Sequence, residues 1–300
     1  MTSRQIKFVI GIPTVRRSYD YLPVTLDSII SQIPVVDRAQ VEIVLFNADL
    51  PPEHHAQVAA LSQTYRPLID IGFLTILTNP CGHPQLIERF SHADACGDNV
   101  SYGQWAAKLV LDCVYLLNFC ATRGTYYLHL EDDVIAAEGF WSTFTGWFET
   151  HFVQRHDWLT LSLYSPYRMT DRQRYPMSRF YGAIGLLFRC GDLPRLATYM
   201  AGVFDQAPLD WLIRDFIIET GGAAYVHAPP LFQHVGLISS LTQKVQLAEA
   251  PAFQEGAARR GWRFVQGLHT LLRYRPTGAW PFIRHRLCRW IRRRLMTKSS

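Results

Sequence analysis

Three adjacent acidic residues, Glu131, Asp132 and Asp133, are the first candidates for chemistry in this sequence. Neighbouring carboxylates repel one another, so such a cluster is costly unless water, hydrogen bonds or a cation compensates the charge. Hard oxygen ligands suit Mg²⁺ or Mn²⁺, and Mg²⁺ is commonly held by one or two carboxylates together with substrate phosphates. The triplet therefore indicates a metal–diphosphate site. The alternative is a solvated loop or the acidic first turn of a helix.

Further polar positions downstream could contribute to the same chemistry. Asp210 precedes a tryptophan at the predicted start of a helix, where it is either an N-cap or a general base. His234 lies at the predicted end of a strand and is either a structural histidine or a ligand of a divalent metal. Ser239 and Ser240 either cap a turn or bind phosphate through their hydroxyl and amide groups.

The elements that must position these residues alternate between strands and helices. Apolar runs predict strands at IKFVIGIPTV, VEIVLFNAD, FLTILTN and TYYLHL, with helices between them. Residues 80–102 are predicted to form a long loop, and AYVHAPPLFQHVG to form a last strand and turn. This alternation predicts an α/β fold with a mostly parallel central sheet and helices on both faces. Ligands bind such sheets beyond the carboxyl ends of the strands, and the acidic triplet directly follows TYYLHL.

Six blocks of the sequence, taken in order, resemble the catalytic domain of one enzyme family. That family is N-acetylglucosaminyltransferase IV, the alpha-1,3-mannosyl-glycoprotein 4-beta-N-acetylglucosaminyltransferases. The blocks lie within about residues 8–246 and are GIPTVRR (11–17), WAAKLVLDC (105–113), YYLHLEDDV (126–134), GAIGLLF (182–188), PLDWL (208–212) and LFQHVGLISSL (231–241).

The resemblance implies a GT-A-type nucleotide-sugar-binding fold and an inverting glycosyltransferase. It implies a UDP-sugar donor, with GlcNAc as the expected sugar, a Mn²⁺ or Mg²⁺ ion, and a glycan or lipid-linked saccharide as acceptor. Glu131, Asp132 and Asp133 match the acidic motif, with Asp133 the expected metal contact and His234 a further metal or diphosphate ligand. Asp210 would deprotonate the acceptor hydroxyl as that oxygen attacks the anomeric carbon. The metal would neutralise the charge on the UDP leaving group.

The resemblance also implies where the donor is bound. The expected donor-binding residues come from the end of the first predicted strand, from the helix beneath the nucleotide pocket, and from a glycine-containing segment that lets a sugar approach the backbone. They are Pro13, Thr14 and Arg16, then Lys108 and Asp112, then Gly182 and Gly185. The alternative for Lys108 is a solvated helix residue.

Composition limits the class of protein further. Hydrophobic residues make up 48% of the 300 residues and charged residues 18%, so the chain can bury a large core. No apolar run reaches the length of a membrane span, and the first residues lack a signal-peptide pattern. Six cysteines without paired spacing predict neither a disulfide framework nor a zinc site. The expected location is the cytoplasm.

Charge divides the chain into an acidic body and a basic tail. The first 258 residues hold 18 Lys and Arg against 25 Asp and Glu, a net charge of −7, and the last 42 hold 12 Lys and Arg and no acid. We predict a GT-A-like domain over residues 1–250 and a basic helical tail over residues 251–300. In residues 281–300, apolar side chains share one helical face, which predicts peripheral contact with an anionic inner membrane surface. A packed helix with a solvated basic face is the alternative.

The sequence favours a transferase over other partners and activities. The acidic body and the lack of a recognised binding motif argue against nucleic acid as a partner. A catalytically silent GT-A module that binds glycan or nucleotide-sugar is the main alternative to an enzyme, and a hydrolase is a third. The presence of both the acidic triplet and Asp210 favours the transferase, because a module that only binds needs no base.

Overall fold

The computed structural model describes residues 6–17, 21–50, 52–90, 99–236, 250 and 253. The chain divides into two units, residues 1–256 and 257–300, and the strands and helices of the described residues belong to the first. Ser239, Ser240 and residues 281–300 lie outside the described residues, so their predicted roles stay predictions, as does the predicted boundary at residue 250. Within the described part of the chain, no helix combines the length and the apolar character that crossing a bilayer requires.

The strands of the described chain form two sheets. In chain order they are β1 (Phe8–Thr14), β2 (Val41–Asn47), β3 (Leu74–Thr78), β4 (Tyr126–His129), β5 (Val134–Ala136), β6 (Thr160–Ser162), β7 (Leu186–Arg189), β8 (Ala224–Val226) and β9 (Phe232–His234). The central sheet has the order β3-β2-β1-β4-β7-β6-β8, and β5 pairs with β9 in a small antiparallel sheet. In the central sheet, β7 runs antiparallel to both its neighbours and the other pairs are parallel. The predicted α/β class with a mostly parallel sheet is confirmed.

Helices cover both faces of this sheet. They are α1 (Leu22–Ile30), α2 (Ala56–Thr64), α3 (Arg66–Asp70), α4 (Pro84–Phe90), α5 (Asn99–Cys120), α6 (Phe140–His151), α7 (Leu193–Gly202) and α8 (Leu209–Glu219). Successive residues of a strand point to opposite faces, so β1 contributes to two hydrophobic cores. Phe8 and Ile10 pack with residues of α1 and α6, whereas Val9 packs with residues of α5, α7 and α8. Burial on both faces explains why the strands are continuous apolar runs rather than alternating ones.

Two segments differ from the sequence predictions. Residues 80–102, predicted as a loop, contain α4 and the first turn of α5, and Leu86 of α4 packs against Ala107 and Leu111 of α5. The segment AYVHAPPLFQHVG, predicted as a last strand and turn, contains two strands, β8 and β9, which belong to different sheets. In both places the prediction was wrong because packing or pairing with other elements, rather than the local pattern, stabilises the observed structure.

Candidate active site

The acidic triplet, Glu131-Asp132-Asp133, directly follows β4, at the carboxyl end of the parallel strands β1 and β4. Thr25 of α1 holds the triplet's backbone in place. Its hydroxyl donates to the carbonyl oxygen of Asp132 at 2.8 Å and accepts the amide N–H of Val134 at 3.2 Å. The backbone on both sides of Asp133 is therefore tied to a buried helix, which restricts where the carboxylates can point.

The small sheet brings His234 to the acidic triplet. In the β5–β9 pair, Val134 lies opposite His234, so the histidine reaches residues about a hundred positions earlier in the chain. Its Nε2 lies 3.2 Å from Asp133 Oδ2 and 3.8 Å from Glu131 Oε2. A Cβ atom at Gly236 would lie 2.1 Å from Asp133 Oδ2, so a side chain at that position would displace the carboxylate.

The residues here fit a divalent cation. One potential ligand atom from each of Glu131, Asp133 and His234 lies within 4.8 Å of the others. Asp133 Oδ1 is buried and has no hydrogen-bond partner among the described residues, which is costly for a carboxylate oxygen unless an ion uses it. Two carboxylates and one imidazole form a donor set that suits Mn²⁺ and similar ions.

Asp132 has different partners from the other two acids. Its Oδ2 accepts the Thr14 hydroxyl at 2.7 Å, and the Arg17 guanidinium reaches both of its oxygens. Arg17 also donates from Nη1 to Asp133 Oδ2 at 2.9 Å. Because its fork engages two neighbouring carboxylates, Arg17 partly neutralises the triplet and fixes the direction of Asp132.

The electrostatics of the cluster follow from burial and from these neighbours. Burial and the adjacent charge of Asp133 raise the pKa of Glu131 to about 7. Burial would also raise the pKa of Asp133, but His234 and Arg17 hold it below its ordinary value. Although burial opposes it, the charge of Asp133 raises the pKa of His234 to about 9. Without a metal, Arg17 and protonated His234 therefore stabilise the ionised Asp133 carboxylate at neutral pH.

Asp210 lies in the first turn of α8, one residue after the helix begins. The N-cap of this helix is Pro208 and not Asp210, so the interpretation of Asp210 as an N-cap is wrong. Its Oδ2 instead accepts the backbone N–H of Gly182 at 3.3 Å. Gly182 has a φ of +67°, which glycine adopts at little cost, and this conformation directs its amide to the carboxylate.

One cleft of about 320 Å³ joins these groups. The acidic triplet and His234 line it, and so does Asp210 with its partner Gly182. Of the other residues predicted to bind the donor, Pro13, Thr14 and Asp112 also line it. The arrangement places a cation-compatible cluster and an aspartate that could accept a proton in the same cavity.

Comparison with known proteins identifies the family of this chain. The family described as the MGAT4 conserved region matches residues 1–253. The chain belongs to the MGAT4 family. An alpha-1,6-mannosyl-glycoprotein 4-beta-N-acetylglucosaminyltransferase of Gallus gallus is 30% identical over 251 residues, covering 83% of this chain and 50% of that protein. The alpha-1,3-mannosyl-glycoprotein enzyme A of Xenopus tropicalis is 26% identical over 259 residues, covering 80% of this chain and 45% of that protein.

This MGAT4-family chain spans about half the length of the curated relatives it matches. Among solved structures, Staphylococcus aureus TarS 1–349 is similar with a TM-score of 0.46 and 12% identity, covering 76% of this chain and 59% of that one. The family assignment predicted from the six sequence blocks is confirmed by the family match over most of the chain.

Three of the predicted donor-binding residues do not line the cleft of the MGAT4-family chain. Lys108 Nζ donates to the carbonyl oxygen of Ala48 and pairs with Asp112, each at 2.6 Å, so it positions a cleft residue. Gly185 has a φ of +66°, and a Cβ there would lie 3.2 Å from the Phe232 ring, which gives this glycine a packing reason. Arg16 is exposed.

The sequence interpretation missed three positions that shape the site. Arg17 was overlooked in favour of Arg16, because both follow the end of β1, where strand alternation no longer indicates which side chain points inward. Gly236 could have been recognised from the sequence, since a glycine two residues after the candidate ligand His234 suggests that the backbone approaches another group closely. Thr25 carried no signal, because it lies inside an ordinary amphipathic helix.

His129, the last residue of β4, also lines the cleft of the MGAT4-family chain and gives a testable pH dependence. Full burial lowers the pKa of its imidazole to about 4. Between about pH 6.5 and pH 4 the unfolded chain binds a proton that the folded chain does not, so this residue lowers stability as the pH falls. From a shift of about 2.5 pKa units, we expect about 3 kcal/mol of unfolding free energy to be lost.

The matched variant for this measurement is His129→Asn, which keeps a polar group for the Tyr127 hydroxyl that lies 2.8 Å from His129 Nδ1. Chemical denaturation of both proteins at pH 7, 6, 5 and 4 gives the difference between their stability profiles. The unfolding free energy of the parent minus that of the variant should fall progressively below pH 6.5. Parallel profiles would show that His129 does not titrate in this range.

Proposed function

We propose that this chain transfers GlcNAc from UDP-GlcNAc to a saccharide hydroxyl with inversion at the anomeric carbon. The observation that carries the proposal is the single cleft that holds both the Glu131, Asp133 and His234 cluster and Asp210. The first group suits a diphosphate-bound cation and the second suits a base, which are the two requirements of such a transfer. The relatives' names, N-acetylglucosaminyltransferases acting on mannosyl glycoproteins, support GlcNAc as the sugar.

The donor's diphosphate would bind at the acidic triplet. Glu131, Asp133 and His234 would hold Mn²⁺ or Mg²⁺, which supplies Lewis-acid charge neutralisation for the leaving diphosphate. Arg17 keeps Asp132 turned toward Thr14 and adds a fixed positive charge beside the phosphates. Pro13 and Thr14, at the end of β1, would contact the nucleotide.

Asp210 would act as the general base. Gly182 holds one carboxylate oxygen, and Oδ1 makes no hydrogen bond within the described part of the chain, so it is open to an acceptor hydroxyl. In the step we propose, the hydroxyl proton passes to Asp210 and the acceptor oxygen forms a bond to the anomeric carbon. The bond from that carbon to the diphosphate oxygen breaks, and UDP leaves with the electron pair.

The acceptor is proposed more broadly than the donor. The names of the relatives support a mannose-containing glycan, and a lipid-linked saccharide offers the same hydroxyl chemistry. The basic tail, residues 281–300, is proposed to contact an anionic membrane surface at which such acceptors are found.

The test is a thermal-denaturation panel of UDP, GDP, UDP-GlcNAc, UDP-GalNAc and UDP-glucose, each with Mn²⁺ or EDTA. A ligand that binds only the folded chain at 100 times its Kd adds about 2.7 kcal/mol of stability. We expect the largest stabilisation with UDP-GlcNAc and its loss in EDTA. No stabilisation by any nucleotide would contradict the proposal, and donor binding without acceptor-dependent turnover would favour the silent binding module.

A further inference from the structure

Exposed aromatic side chains are concentrated beside Asp210. Among the side chains that the structure describes, the exposed aromatic ones are Tyr167, Tyr181 and Trp211, with 44%, 41% and 53% of their surface accessible. The chain holds 39 Phe, Tyr and Trp residues, and nearly all of the described ones are buried or half-buried. Exposed aromatic surface that gathers at one place is typical of a binding site, whereas scattered exposed residues need no explanation.

Two of these rings flank, along the chain, the hydrogen bond between Gly182 and Asp210. Tyr181 precedes Gly182 and Trp211 follows Asp210, and the amide of Gly182 donates to the Asp210 carboxylate at 3.3 Å. Both rings are therefore chain neighbours of the residues that this bond joins. Tyr181 itself lines the cleft.

The tyrosines lie close to one another and to the acids. Ser165 Oγ accepts the amide N–H of Tyr167 at 3.2 Å and also accepts the Tyr175 hydroxyl at 3.3 Å. The Tyr175 ring lies 5.6 Å from that of Phe180, the residue before Tyr181. Tyr181 lines the cleft together with the acidic triplet and Asp210, and these contacts bring Tyr167 near it.

Trp211 is held in a defined position although it is exposed. The Arg214 guanidinium lies over its ring, 5.1 Å from the centroid, and Arg214 is itself paired with Asp215 at 2.8 Å. Because the ring is supported by a cation and still half accessible, it presents an ordered apolar surface to solvent. An ordered ring loses little conformational entropy when it binds a ligand.

We propose that Trp211, Tyr181 and Tyr167 form the subsite that binds the acceptor sugar. The C–H groups on one face of a pyranose ring pack against an aromatic ring, and its hydroxyls bond to polar groups such as the tyrosine Oη. The subsite rests on the proposed transfer reaction, since it places a sugar hydroxyl next to Asp210. Its occupant is a neutral saccharide, because Glu131 and Asp210 line the same cleft as Tyr181 and would repel an anionic one.

Variants at Trp211 test the subsite. Trp211→Ala is expected to weaken acceptor binding and raise the acceptor KM by about tenfold or more, as removal of a buried aromatic anchor does at an interface. Trp211→Phe should restore most of the loss, and Tyr181→Ala should weaken binding in the same way. For Trp211→Ala, donor affinity in the presence of Mn²⁺ should stay within about twofold of the parent protein, because Trp211 does not belong to the Glu131, Asp133 and His234 cluster.

Ile218→Ala is the matched control. Ile218 lies on α8 seven residues after Trp211, on the same helical face and about 10 Å further along the axis. Ile218 is 55% exposed. Its replacement by Ala therefore removes a similar solvent-facing apolar side chain without removing an aromatic ring. We expect this variant to bind acceptor and donor as the parent does.

The measurement is calorimetric titration with a mannotriose that has α-1,3 and α-1,6 linkages, with UDP and Mn²⁺ present, alongside turnover with UDP-GlcNAc. Saccharide binding that Trp211→Ala weakens but Ile218→Ala does not would support the subsite. If that pattern appears without turnover in the parent, the subsite stands and the proposed transfer fails. No saccharide binding by the parent, equal binding by Trp211→Ala, or a change only in oligomeric state would overturn the subsite.

Discussion

Replacing Asp210 with Asn is expected to lower acceptor-dependent turnover by about 10²–10⁴-fold, the range that general acid–base catalysis contributes. The amide has nearly the same shape, and its oxygen can still accept the N–H of Gly182, so the local structure should persist. It cannot take up the proton of the acceptor hydroxyl. Steady-state turnover with UDP-GlcNAc and a mannose-containing acceptor measures the effect.

Two comparisons make the Asp210→Asn result specific. UDP-GlcNAc affinity in the presence of Mn²⁺ should stay within a few-fold of the parent, because Asp210 does not belong to the Glu131, Asp133 and His234 cluster. Asp70→Asn changes an exposed aspartate that is paired with Arg66 on α3, and it should leave turnover unchanged. Turnover near that of the parent in Asp210→Asn would show that another group accepts the proton.

Replacing Asp133 with Asn is expected to weaken Mn²⁺ binding by more than about 100-fold and to abolish the Mn²⁺-dependent part of UDP-GlcNAc binding. Loss of an outer partner of a metal ligand alone costs about 10–100-fold, and Asp133 is a proposed ligand. The substitution removes the negative charge that His234 and Arg17 stabilise, and it replaces one carboxylate oxygen by an amide NH2 group, which cannot bind a cation. Calorimetric titration with Mn²⁺, before and after addition of UDP-GlcNAc, measures both affinities.

Asp132→Asn is the comparison within the same triplet. Asp132 is bound by Thr14 and Arg17 and does not belong to the three-residue cluster, so this variant should keep Mn²⁺ affinity within about tenfold of the parent. Both variants need a denaturation profile, because removing one partner of a buried ion pair costs about 3–5 kcal/mol. Unchanged Mn²⁺ affinity in folded Asp133→Asn, or equal losses in both variants, would remove Asp133 from its proposed role.

The position of the acidic triplet could be predicted because it follows from local pattern. A short apolar run that ends in three carboxylates predicts a buried strand with acids at its end, and β4 leads directly into the triplet. The alternation of such runs with helical segments predicts the parallel sheet, which is confirmed. Each of these inferences uses residues within about ten positions of one another.

The partners of the triplet could not be predicted in the same way. Nothing local distinguishes Arg17 from Arg16, because both lie beyond the end of β1, and nothing local shows that Thr25 binds the backbone of Asp132. The aromatic group beside Asp210 is likewise visible only once exposure is known, since the sequence holds 39 aromatic residues. Which of them stay exposed depends on how the helices pack.

The amino-acid sequence by itself therefore determined the class of fold, the family, and the candidate residues at the strand and helix ends. Hydrophobic periodicity, turn residues and short motifs act over a few neighbouring positions, so they can be recognised without a structure. Only the tertiary structure decided which candidates meet. The β5–β9 pairing brings His234 to Asp133, and the packing of α8 against the sheet brings Asp210 to Gly182. Such contacts depend on the burial of whole elements against one another, because groups about a hundred residues apart meet only when the cores between them have formed.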